Sequence, residues 1–65
     1  MSVLLVPDGL DGERVDAAAA RMSGVSRSRI ADLIEEGLVF LDGQKVSRAS
    51  VRVAMGQMLD IDLSD

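Results

Sequence analysis

The sequence predicts an α+β domain in which two packed N-terminal helices lie against one side of a small, mainly antiparallel sheet. Three observations lead to it. Apolar residues recur at helical spacing in two stretches separated by Gly24. After Gly37 the period shortens to that of a strand, and Asp42-Gly43 marks a tight hairpin. A short apolar run at the start of the chain is stopped by Pro7. With 65 residues, 1–65 form one domain, and a domain this small buries only about 60% of its unfolded surface.

The elements follow in order. Ser2–Val6 reads as a strand. Asp11 is placed to cap a helix over roughly Gly12–Met22, with Val15, Ala18, Ala19 and Met22 on one face. That face is mostly alanine, so its neighbour must approach closely. Ser26 as N-cap and Gly37 at C′ bound the second helix. Ile30, Leu33 and Ile34 form its buried stripe, and Asp32, Glu35 and Glu36 face water. Leu38–Leu41 and Gln44–Val46 flank the hairpin turn, which sets Leu41 opposite Gln44, Phe40 opposite Lys45 and Val39 opposite Val46. Residues 50–54 read as a further strand, with Val51 and Val53 on one face. Gly56-Gln57 turns, and Met58–Leu63 alternates, Leu59, Ile61 and Leu63 inward, Asp60 and Asp62 outward.

Composition narrows the function. The chain has no cysteine and no histidine, so disulfides and the usual zinc frameworks are excluded. No spaced carboxylate cluster suggests another metal, and no cofactor fingerprint is present. Histidine, cysteine and tyrosine are all absent, which removes the common nucleophile–base pairs, so the chain is not expected to be an enzyme by itself. No apolar run reaches the roughly 18 residues of a membrane span. Met1–Val6 lacks the flanks of a signal peptide, and the expected compartment is the cytoplasm.

Net charge is −4, which alone disfavours nucleic acid. The distribution says otherwise. Residues 1–24 carry −2, residues 25–52 carry +1 and residues 53–65 carry −3. Within the middle, 26–29 and 44–52 hold five bases and no acid. An acidic molecule therefore has a local basic patch.

Ser26-Arg27-Ser28-Arg29 is the informative part of that patch. Its arginines fall in the first turn of the second helix, where the macrodipole is already positive; the cost is a few tenths to about 1 kcal/mol each. Glu35 and Glu36 sit at the opposite end, so the helix is charged against its dipole twice. An anion at the helix start explains this. Free N–H groups, two serine hydroxyls and two guanidiniums would converge on a phosphate. The plainer reading pairs Arg29 with Asp32 and lays the Arg27 stem over apolar surface; for both arginines together the phosphate reading is favoured. Lys45, Arg48 and Arg52, with Ser47 and Ser50, could extend the surface. Taken alone, Lys45 is an ordinary edge-strand lysine; beside the helix start the two readings balance. Phe40, the sole aromatic, is expected to fill a partly covered second sheet face, with stacking on an unpaired base as the alternative.

The ordered series Arg14-Val15-Asp16, Ser26-Arg27-Ser28, Leu33 to Val39, Leu41-Asp42-Gly43, Val46, Ser50, Val53 and Gly56 resembles the S-four RNA-binding domain, the alpha-L motif, over roughly residues 12–63. The lead-in Val6 to Arg14 looks like the N-terminal domain of bacterial ribosomal large-subunit pseudouridine synthases of the D type. The resemblance implies an RNA-binding accessory domain, a monomer tethered to a larger catalytic domain that holds the catalytic aspartate. It implies ribosomal RNA as partner, no membrane and no cofactor. Arg14-Val15-Asp16 is then structural and is not the family's Arg-Leu-Asp catalytic signature. The implied RNA-binding residues are Ser26, Arg27, Ser28, Arg29, Lys45, Arg48, Ser50 and Arg52. Val15, Asp42, Ala49 and Gln57 depart from the family's usual leucine, asparagine, proline and aspartate. Two alternatives remain: a free-standing ribosome-associated RNA-binding protein, or a protein-interaction module using Asp60, Asp62 and Asp65.

Overall fold

The Asp42-Gly43 turn organises the sheet. Its residues have φ of 51° and 82°, the left-handed pair that matches a two-residue hairpin to strand twist. The computed structural model, which describes residues 2–63, pairs β2 (Val39–Leu41) with β3 (Gln44–Lys45) in the expected register, Phe40 to Lys45 and Leu41 to Gln44. β4 (Met58–Ile61) takes the other edge of β2, and β1 (Ser2–Leu5) pairs with β4. The result is a four-stranded antiparallel sheet in the order β1-β4-β2-β3.

Alternation divides the sheet into two faces. Val39, Leu59 and Ile61 point to one side and are fully buried. α1 (Val15–Ser23) and α2 (Arg27–Glu35) cover them, contributing Val15, Ala18 and Ala19 from one helix and Ile30, Leu33 and Ile34 from the other. The alanine face lets α1 approach α2 closely, as the sequence requires, while Met22 at its end is only half-buried. Gly24, with φ 78°, ends α1 and turns the chain into α2.

α2 has the expected termini. The Ser26 hydroxyl accepts the Arg29 N–H at 3.2 Å. At the other end Gly37 adopts φ 78°, and the N–H groups of Gly37 and Leu38 donate to Ile34 and Leu33 carbonyls at 3.0 and 2.9 Å. This is a Schellman close, which satisfies carbonyls the helix leaves over.

Two expectations change. α1 starts at Val15 and not at Gly12. Gly12 is left-handed, φ 83°, and residues 12–15 run extended, bonded to residues 51–53 through Gly12 N–H to Val53 O (2.8 Å), Val53 N–H to Glu13 O (2.9 Å) and Val15 N–H to Val51 O (2.6 Å). Asp11 therefore caps no helix; its Oδ1 accepts the Met55 N–H at 2.9 Å and holds the turn before β4. The same ribbon accounts for residues 50–54, which join no strand of the sheet and form a single bridge, Arg14 to Arg52. Val53 still points into the core as the alternation demands. The partner of this extended segment lies about 40 residues away in sequence, and local patterning does not register such pairings.

Candidate nucleic-acid interface

At the start of α2, Arg27, Ser28 and Arg29 are all exposed. The helix has no acid in its first turn and no base in its last. Of the amide hydrogens free at any helix start, Ser26 Oγ takes one, that of Arg29. Arg27 reaches back to α1, where Arg27 Nη2 lies 3.2 Å from Asp16 Oδ2.

Asp16 was not among the expected site residues, yet it anchors this end of the molecule. Its side chain is 9% exposed and sits between Arg27 and Arg14, whose Nε is 3.3 Å from Asp16 Oδ1. The Ala17 N–H also donates to it at 2.8 Å. Burial pushes the carboxyl pKa up, but the Arg27 hydrogen bond, the Ala17 N–H and the charges of both arginines outweigh that and hold it below its ordinary value of 3.8. Asp16 thus remains ionised and pins two guanidiniums that are themselves 45% and 57% exposed. The sequence carried one signal for this. An acid on the α1 face beside Val15, Ala18 and Ala19 needs a cation; Arg14 stands two residues before it, and two more open α2.

Arg14 links the helix start to the loop after β3. Together with Arg48, Ser47, Ser50 and the α2 residues Ala31 and Glu35 it lines an open groove of about 490 Å³. Arg48 and Ser50 thus stand beside α2. Lys45 lies elsewhere: its stem packs over Gly37, where an added Cβ would come within 3.3 Å of Lys45 Cδ. That places its ammonium near the carbonyl end of α2, which favours a cation. Arg52 donates from Nη1 to Gly12 O at 2.9 Å and braces the ribbon. The eight expected residues therefore fall into a helix-start group, a groove group and two outliers. Two of the family departures act as local caps. Gln57 Oε1 accepts the Ala54 N–H at 2.7 Å, and Asp42 Oδ1 accepts the Met58 N–H at 2.9 Å.

This geometry belongs to a recognised class: residues 13–59 match the S4 domain family, and the chain is a member of it, with the α+β arrangement of that RNA-binding domain. Two RNA pseudouridine synthases, both described as uncharacterized, one from Mycobacterium bovis and one from Mycobacterium tuberculosis, are each 43% identical to it over 60 residues. The match covers 92% of this chain and 19% of each relative, so the chain spans about a fifth of their length. Among the described residues, no helix is long and apolar enough to cross a membrane.

Proposed function

We propose that this domain docks a pseudouridine synthase onto ribosomal RNA. In this reading the RNA lies along the start of α2, at Ser26, Arg27, Ser28 and Arg29, and continues over the groove and hairpin, at Arg48, Ser50, Lys45 and Arg52. Arg14 joins the two parts. The observation that carries the proposal is the placement of charge on α2: an acidic chain opens this helix with two exposed arginines and closes it with acids. That arrangement opposes the helix dipole; Asp16 offsets it at Arg27, and a phosphate at the helix start would offset it further.

Such a domain binds weakly by itself. Its value comes from tethering, which raises effective concentration at a second RNA contact and can strengthen overall binding by about 10²–10⁴. The 19% coverage of the mycobacterial synthases fits a domain that operates beside a larger one. The test is binding to a ribosomal RNA fragment across a salt series. Four or five phosphate contacts give a slope of log K against log salt of about −3 to −4, at roughly 0.7 per phosphate. Arg29→Ala with Arg48→Ala should weaken binding and reduce the slope by about 1.4, with an unchanged circular dichroism spectrum. Wild-type binding retained by the folded double variant would sink the proposal.

A further inference from the structure

The sheet face turned away from the helices is apolar, with one acid at its centre. Val3, Asp60, Phe40 and Lys45 form a row across the strands, and Leu5 and Met58 lie beside it. Val3, Leu5 and Met58 are 52%, 66% and 52% exposed. A groove of about 340 Å³ runs between Val3, Phe40, Met58 and the Asp42-Gly43 turn, with Asp60 in its lining. Asp60 Oδ1 is closed off from solvent and accepts no hydrogen bond. Lys45 shares the row, but Phe40 stands between it and Asp60.

A shielded carboxylate oxygen without a donor is costly to maintain. Together with the exposed apolar residues around it, it marks a contact that wants one cation on a greasy support. We propose that this face docks a protein segment carrying an arginine between aliphatic residues, the guanidinium lying on the Phe40 ring and meeting the Asp60 carboxylate from the groove it lines. Arginine suits the groove better than lysine. Its planar, weakly hydrated head can stack on an aromatic ring while the N–H groups at its edge hydrogen-bond a carboxylate. The flanking aliphatic residues cover Val3, Leu5 and Met58.

Charge complementarity argues against the other occupants. RNA phosphates would meet Asp60 and Asp42 here, and the basic groups of α2 lie behind the opposite sheet face. A second copy stacked about a twofold axis would bring two Asp60 carboxylates into one dry interface. The groove itself shares no residue with the RNA surface, which meets this face only at its edge through Lys45, so either assignment can fail without the other.

The test is a two-dimensional amide NMR titration of the isotope-labelled chain with three probes: acetyl-Leu-Arg-Leu-amide, acetyl-Leu-Gln-Leu-amide and a single-stranded oligoribonucleotide. The arginine peptide should shift the Val3, Phe40, Met58 and Asp60 amides. The glutamine peptide should bind about tenfold more weakly, and Asp60→Asn should weaken the arginine peptide by a similar factor. Phe40→Leu, which keeps an apolar side chain, should reduce binding about threefold by removing the ring. Equal binding of the two peptides, full binding to Asp60→Asn, no response to the arginine peptide, or oligoribonucleotide shifts centred on Phe40 and Asp60 would each overturn the proposal.

Discussion

Asp16 shows how one side chain joins fold to surface. It is nearly buried, it is ionised, and its two arginine partners come from the starts of α1 and α2. Its pKa is lowered on folding, so its contribution is present above the ordinary value of 3.8 and disappears as pH falls through the depressed folded value. Urea unfolding should therefore show wild-type stability falling below about pH 4. Asp16→Asn should lose about 1 kcal/mol at pH 7, because the exposed guanidiniums are screened by solvent, and its stability should vary less across the same acid limb. An unchanged acid limb in the variant would remove Asp16 from this role. Gly37 sets a second residue-scale constraint. Its φ is +78°, and a Cβ there would press on Lys45. Gly37→Ala should cost about 1–2 kcal/mol in the same measurement.

At the scale of elements, α2 is the part whose boundaries serve two ends. Its Ser26 cap and Gly37 close are ordinary stabilising devices, while its charges run against its dipole. Ser26→Ala should cost about 1 kcal/mol of stability. If the helix start holds phosphate, the same change should also weaken RNA binding under conditions where the domain is fully folded. Loss of stability with intact RNA affinity would confine Ser26 to capping. The ribbon between residues 12–15 and 51–53 is the other element-scale feature. It fixes the loop that carries Arg48 and Ser50 against the start of α1, so the groove beside α2 is built from three distant stretches of chain.

At the scale of the whole molecule, a small core leaves little margin. Ile30, on the inner face of α2, is fully buried. Ile30→Ala should cost about 2–5 kcal/mol, a large part of the roughly 3–10 kcal/mol expected of so short a chain. Chemical denaturation should show an unfolding midpoint well below that of the wild type. A loss below 1 kcal/mol would mean that the helices are not seated on the sheet as described. The two faces of the sheet differ: one is sealed by the helices, and the other leaves Val3, Leu5 and Met58 exposed.

Much of this was legible in the residues. The caps of α2, its buried stripe, the hairpin register and the alternation of β4 depend on neighbours a few positions apart, where backbone sterics and side-chain period act directly. The ordered series of motifs was enough to place the chain in its family. The basic patch was legible too, because charge can be counted along the chain. What the chain could not reveal locally was every pairing across a long loop. Asp11 capping a turn and not a helix, residues 51–53 bonding the lead-in to α1, and Asp16 drawing Arg14 and Arg27 together all involve partners brought close only by the completed fold. The same holds for Asp60, which the sheet sets between Val3 and Phe40 and whose Oδ1 is thereby buried. Asp65, counted with the acidic strand end, lies outside the described residues. Local pattern determined the elements and the class of protein, because those follow from short-range sterics and hydrophobic period. Tertiary structure decided which charges are paired and how far each is buried, because desolvation and hydrogen bonding depend on what the fold places alongside.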